Sequence, residues 1–281
     1  MTAQRSMTSG GAGPRRPGAS GWGLGLRRPL RRLWMLGADL LLPPACNACG
    51  VELPPLAEPP LFCESCREAF LKLPGPLCPR CAAPLGPGQE ADDCPRCRDR
   101  RYHFQAALTL GIYQGQLREA VIRMKQRIHE ALTLSMGYLL ADRVRQTLAD
   151  APPALLVPVP AYWLKRLWRG VNGPDLLVEA MGGRLGLPWA DDVLVCRRRT
   201  QKQGTLLPSE RAANVRDAFA FNADYDILNV HVLLVDDIMT TGSTANEAAR
   251  VLRRAGAARV TVAVVARGAG RAHQPTCHQP T

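Results

Sequence analysis

The stretch that most constrains this chain is Ile227 to Gly256, centred on VLLVDDIMTTGSTANEAARVL. Val232 to Val235 is an apolar run that predicts a central strand ending at two adjacent acids, Asp236 and Asp237. The turn after it is small and polar, with Thr240, Thr241, Gly242, Ser243 and Thr244. Ala248, Ala249, Val251 and Leu252 then recur at helical spacing up to Gly256, a C-cap. The unit is strand, paired carboxylates, hydroxyl-rich turn and helix.

A turn that opens a helix presents free backbone N–H groups and the positive end of the helix dipole. Hydroxyls of Thr240, Thr241, Ser243 and Thr244 add donors, and Gly242 permits backbone conformations that a Cβ would hinder. Such a pocket suits a phosphomonoester. The two carboxylates would repel a phosphate placed on them, but they suit ribose hydroxyls or a hydrated Mg²⁺ bridging to more phosphate. An isolated acid pair would merely end a strand. The 13-residue pattern VLLVDDIMTTGST combines four features and predicts a ligand site. Neither a GxxxxGK[ST] loop nor a GxGxxG turn between strand and helix occurs.

Eight of the ten cysteines form four CxxC pairs: Cys46/Cys49, Cys63/Cys66, Cys78/Cys81 and Cys94/Cys97. Tetrahedral zinc with four thiolates needs two such pairs, and the intervening 13 and 12 residues let the chain turn back. Two structural zinc sites are expected, the first four cysteines on one ion and the last four on another, with interleaved pairing left open. Disulfides would require a secreted chain, and no convincing signal supports one. Cys196 and Cys277 remain as ordinary thiols. Residues 46–97 are rich in proline and short polar turns, so metal supplies what packing cannot. Arg80, Arg96, Arg98, Arg100 and Arg101 also make this module a candidate docking surface, though no aromatic stripe accompanies them.

The formal charge is +12, and residues 1–40 hold half of it, with seven Arg and one Asp. Basicity of this kind attracts nucleic acid, anionic membrane or phosphorylated metabolites without choosing among them. The expected organisation is a basic leader over 1–40, disordered with a short amphipathic helix, and Met7 and Met35 are later candidate starts. A cysteine-rich zinc module follows over 41–101, then a globular domain over 102–267 and a polar tail over 268–281. The apolar run near Trp34 to Leu42 is interrupted by Asp39 and too short to span a membrane. A cytoplasmic location is therefore expected.

Within the globular part, strands are expected over Ala106 to Ile112, Ala154 to Val159, Val193 to Cys196, Ala218 to Phe221 and Arg259 to Val265. Helices are expected over Leu117 to Lys125, Glu130 to Leu148 and about Pro174 to Leu185, with Leu132, Met136, Leu139, Leu140 and Val144 on one face. Lys125 reads as a solvated helix lysine, with a reach toward phosphate as the alternative. Lys165, Arg166 and Arg169 follow a strand end, where doubly wound sheets bind ligands. The polar excursion RRRTQKQGTLLPSERAANVRDAF offers Arg197, Arg198, Arg199, Lys202, Arg211 and Asn214 to a bound anion, or an exposed loop.

Taken in order, the cysteine-rich front module, LTLGIYQGQLREAVIRMK, VPVPAYWLKRLWRGVN, RRRTQKQGTLLPSERAANVRDAF and VDDIMTTGST resemble the ComF family of phosphoribosyltransferase-like proteins, over roughly Leu41 to Arg267. The VDDIMTTGST segment is similar to the phosphoribosyl diphosphate (PRPP) motif of type I phosphoribosyltransferases. The resemblance implies an α/β fold of that type, a mostly parallel sheet flanked by helices, preceded by a small double zinc-ribbon-like module. It implies Asp236 and Asp237 toward ribose as the catalytic acids, and Thr240, Thr241, Gly242, Ser243 and Thr244 around the 5-phosphate. Arg169, Arg197 and Lys202 would serve the diphosphate, with Mg²⁺ accompanying PRPP. Gly173 directly after Asn172, and the QRIHE run after Lys125, depart from the family's usual residues at positions that bear on acceptor contacts. The implied function is transfer of phosphoribosyl to an unidentified acceptor in competence and DNA uptake. The alternatives are a non-catalytic PRPP or nucleotide sensor and a single-stranded DNA uptake adaptor. DNA-uptake proteins are implied partners, and homo-oligomerisation is left open.

Overall fold

The computed structural model describes residues 43–90, 92, 94–98, 100–161, 173–198 and 210–268. Chain order gives α1 (Glu64–Leu71), β1 (Ala106–Ile112), α2 (Gly115–Arg123), a 3₁₀ turn (Arg127–His129) and α3 (Glu130–Thr147). These are followed by β2 (Leu155–Pro158), α4 (Gly173–Leu185), β3 (Leu194–Cys196), α5 (Glu210–Val215), β4 (Phe219–Phe221), β5 (His231–Met239), α6 (Ser243–Arg254) and β6 (Arg259–Arg267).

Four strands form a parallel sheet in the order β1-β6-β5-β2, while β3 and β4 pair antiparallel as a separate ribbon. Within the two central strands, Val232 to Val235 of β5 and Val260 to Ala266 of β6 are buried runs, apolar but for Thr261, as expected of strands covered on both faces. Alternation along them feeds two cores. Leu233 and Val235 pack with Leu132, Met136, Leu140 and Leu177 from α3 and α4. Val232, Leu234, Val260, Val262 and Val264 pack with Ala245, Ala248, Ala249 and Leu252 from α6. The apolar stripe expected on α3 is fully buried, each large side chain contributing about 1.5–3 kcal/mol. At Gly137 an added Cβ would lie 2.7 Å from Ala180 Cβ, so α3 and α4 approach through a contact that only glycine permits.

The cysteine-rich module packs directly on this domain. Phe62, Cys66 and Phe70 join the α3/α4 core, and the Ala107 N–H of edge strand β1 donates to Pro79 O at 3.1 Å, covering the sheet edge. Among the described residues no helix is long and apolar enough to cross a membrane.

Candidate functional site

The sequence places the end of the central strand at the acids, and the structure corrects this. Pairing with β6 carries β5 on to Met239, with Asp236 opposite Val264, Ile238 opposite Ala266 and Met239 opposite Arg267. The ladder depends on a partner strand, which a local reading of hydropathy does not see. Asp237 N–H donates to Asp236 Oδ1 at 2.8 Å, so the acids lock one another in place. Asp236 as a residue is half-buried, but its carboxyl is crowded. Loss of hydration, followed by the neighbouring Asp237 charge, pushes it well above the ordinary carboxylate range.

Lys125 lies past the end of α2 and its side chain stays exposed, and its Nζ lies 3.4 Å from Asp237 Oδ2. The turn after α2 brings it there: Met124 N–H and Lys125 N–H return to Ala120 O and Ile122 O, and the chain bends over the strand ends. Two guanidinium bonds, from Arg123 to Ala48 O at 2.5 Å and to Asn47 O at 3.4 Å, tie this turn to the first CxxC knuckle.

Beyond Met239 the turn reaches Gly242, which is left-handed at φ 78° and stands as N-cap of α6. Ser243 and Thr244 lie in the helix's first turn, and Asn246 N–H closes that turn on Gly242 O at 2.8 Å. Thr241 Oγ1 and Ser243 Oγ are 2.9 Å apart, and Ser243 N–H points to Thr241 Oγ1 at 3.4 Å. All five turn residues singled out from sequence are therefore brought together.

The carbonyl side of this turn is gripped from behind. Arg267 donates to Met239 O at 2.7 Å and also to Thr240 O. Arg96 reaches Thr240 O at 3.3 Å, while Arg100 and Tyr102 reach Thr241 O at 3.1 and 3.3 Å. Across a trans peptide the N–H points opposite to the C=O. Drawing the Thr240 and Thr241 carbonyls toward these donors therefore turns the Thr241 and Gly242 N–H groups to the other side. His103 N–H to Asn246 Oδ1 at 2.6 Å and the Tyr102–Phe104 stack, with centroids 4.6 Å apart, complete the support.

None of Arg267, Tyr102, His103 or Asn246 was singled out by sequence reasoning. Arg267 merely ends an apolar strand, and its partners are remote in the chain. Arg96 and Arg100, two of the five arginines that offer a docking surface, also serve the turn. Arg197 caps β3 through its N–H to Ala218 O at 2.8 Å, and its side chain is exposed. Arg198 donates to Arg216 O at 2.6 Å. Arg169 and Lys202, like Lys165, Arg166 and Arg199, lie outside the described residues, as do the side chain of Arg211, the leader 1–40, the tail beyond Gly268 and Cys277.

The eight cysteines of the module form two groups, Cys46, Cys49, Cys63 and Cys66, and Cys78, Cys81, Cys94 and Cys97, with all sulfurs in each within 4.8 Å of one another. This is the sequential pairing. The spacings Cys49–Cys63 at 3.7 Å, Cys78–Cys97 at 3.8 Å and Cys81–Cys94 at 3.7 Å are far longer than a disulfide of about 2.05 Å. They match the edge of about 3.8 Å that a tetrahedron with metal–sulfur bonds of about 2.3 Å requires. The donor sets therefore fit zinc. Cys196 is a buried thiol facing Arg198 O at 3.3 Å.

A family profile described as "Double zinc ribbon domain" matches residues 37–98, and one described as "Phosphoribosyl transferase domain" matches 182–277. The chain is 31% identical over 205 residues to the "DNA utilization protein YhgH" of Salmonella typhi, covering 72% of this chain and 88% of that protein. It is 27% identical over 210 residues to "Competence protein F" of Haemophilus influenzae, covering 73% and 90%. Among solved structures, a Trypanosoma cruzi hypoxanthine phosphoribosyl transferase aligns over 52% of this chain and 71% of its own, at 17% identity and a TM-score of 0.34. With a double zinc ribbon, a phosphoribosyl transferase domain on a parallel sheet, and relatives of this identity and coverage, the chain belongs to the ComF/YhgH family.

Proposed function

We propose that the β5–α6 turn binds PRPP together with Mg²⁺ and that the protein transfers phosphoribosyl to an acceptor used in DNA handling. The observation that carries this reading is the orientation of the turn. Its carbonyls are held from behind by Arg267, Arg96, Arg100 and Tyr102, so the Thr241 and Gly242 amides, at the N-terminus of α6, face the opposite side as a phosphate cradle.

In this reading Thr240, Thr241, Gly242, Ser243 and Thr244 hold the 5-phosphate, and Asp236 and Asp237 hold the ribose hydroxyls. Mg²⁺, when bound, neutralises the diphosphate and the acid pair. As the C1–O bond breaks, its electron pair leaves with diphosphate. Asp237 then stabilises the positive charge at C1 electrostatically, and an acceptor nucleophile bonds to C1 and loses its proton to solvent. Lys125, 3.4 Å from Asp237, is a further proposed diphosphate contact. Arg169, Arg197 and Lys202 remain proposed diphosphate contacts. Zinc fills both four-thiolate clusters, and cysteines not joined in disulfides suit the reducing cytoplasm.

The names of two relatives, a DNA utilization protein and a competence protein, support a role for this reaction in DNA handling. The test incubates zinc-loaded protein with PRPP, Mg²⁺ and a panel of bases, nucleosides and amines while diphosphate release is followed. Release that disappears in Asp236→Asn/Asp237→Asn supports transfer. PRPP binding without release from any acceptor favours the sensor. Retention of single-stranded DNA at moderate salt, with neither PRPP binding nor release, favours the adaptor.

A further inference from the structure

We infer that Arg267 links the second four-cysteine cluster to the β5–α6 turn, so that metal in that cluster sets the geometry of the anion-facing amides; the ligand named here rests on the phosphate reading above.

Arg267 is 1% exposed, and it donates from Nε to Cys81 O at 2.8 Å and from Nη1 to Met239 O, Thr240 O and Gly268 O. These partners are backbone carbonyls of two modules: Cys81 lies 186 residues from Arg267 in the chain and Met239 lies 28. Burying a guanidinium is costly unless its donors are satisfied, so its position calls for a reason in what it joins. One end rests on a residue of the metal cluster and the other on the turn.

Two more arginines repeat the arrangement. Arg96 lies between Cys94 and Cys97, and Arg100 follows them; they hold Thr240 O and Thr241 O. The positions of Cys81, Arg96 and Arg100 all depend on the four sulfurs staying together. Thiols without metal have no bond to keep them so. Releasing the cluster therefore releases the donors that hold the turn's carbonyls, and with them the outward direction of the Thr241 and Gly242 amides. Arg267 acts as a positioning residue and needs no contact with the ligand.

The test is hydrogen exchange on the full chain, read on a peptide spanning Thr240 to Asn246 and referenced to α4. Arg267→Gln, with metal content unchanged by native mass spectrometry, is expected to speed exchange in the turn about tenfold or more, the factor of one lost hydrogen bond from a charged donor. Cys97→Ser, which empties the second cluster, is expected to speed it similarly in the parent. Combining the two should give less than the product of the single effects, since both break the Arg267 linkage while Cys97→Ser also frees Arg96 and Arg100. Unchanged exchange in Cys97→Ser after metal loss, or effects that multiply in full, would overturn the inference. Should Arg267→Gln not fold, Arg96→Ala decides: faster exchange in the turn with α4 unchanged supports the linkage, and no change overturns it. Calorimetric titration with PRPP and Mg²⁺ runs alongside. Failure to bind together with the non-additive exchange pattern rejects the phosphate reading and leaves the linkage standing.

Discussion

Gly242→Ala separates backbone geometry from chemistry at the centre of the site. Residue 242 sits at φ 78°, ψ 5°, where an L side chain costs about 1–2 kcal/mol. The added Cβ would lie 3.3 Å from Tyr102 Cε1 and 3.6 Å from Met239 Sδ. Tyr102 has little room to yield, because its ring is stacked on Phe104 and its hydroxyl donates to Thr241 O. A few tenths of a kcal/mol more are therefore expected, for a total of about 1–2.5 kcal/mol. In a domain of this size that lowers Tm by about 2–10 °C. Relief comes from rotating the Thr241–Gly242 peptide, which turns a carbonyl toward the position proposed for the phosphate and removes a charge-assisted hydrogen bond. That loss is about 1.5–3 kcal/mol, or about 10–150-fold in PRPP affinity. Scanning calorimetry and titration with PRPP and Mg²⁺ measure both. Gly183→Ala is the control, since nothing lies within 4 Å of its Cβ and its φ is not left-handed; alanine there is neutral or stabilising by up to about 1 kcal/mol. If Gly242→Ala matches this control in both stability and affinity, the cradle geometry is refuted.

Asp236→Asn should move stability and binding in opposite directions. The folded state holds the Asp236 carboxyl above its ordinary value, so the fold binds the extra proton and the parent loses stability as pH rises from about 4 through the raised value. Asparagine removes that penalty, leaving the variant more stable than the parent at pH 7 by about 0.5–2 kcal/mol and equal to it below about pH 4, while PRPP binding with Mg²⁺ weakens. Thermal melts across pH that show no gain at neutral pH would count against a strained acid. Glu247 behaves in the other sense. It is 8% exposed; burial opposes its charge, but Arg250 and the Asp217 N–H at 2.7 Å outweigh this and hold it below its ordinary value. Its contribution is therefore present above about pH 4.3 and lost as pH falls below it, and Glu247→Gln should cost about 1–3 kcal/mol at pH 7, a difference that shrinks in acid.

Much of this architecture is legible in the chain. The strand Ala106–Ile112 and the buried stripe of α3 follow from periodicity, because both are local patterns that burial enforces. The four CxxC pairs announce metal sites for a similar reason, although only the folded chain distinguishes sequential from interleaved pairing. What escapes is everything decided by long-range contact. Lys125 stays exposed, as a solvated lysine would, but only the turn after α2 places it beside Asp237. Tyr102 and Arg267 look like unremarkable flanking residues, yet they support a turn 139 and 27 residues away respectively. Sequence identified the residues that face the ligand in this account, and missed those that hold them in position.

The measurement closest to the central claim is calorimetric titration of zinc-loaded protein with PRPP in the presence and absence of Mg²⁺. The account predicts saturable binding of one PRPP per chain, with Kd in the range of about 1 μM to 1 mM usual for enzyme substrates, strengthened by Mg²⁺ and weakened at least about tenfold in Gly242→Ala. A folded protein with both clusters filled that shows no saturable binding up to about 1 mM PRPP would contradict it.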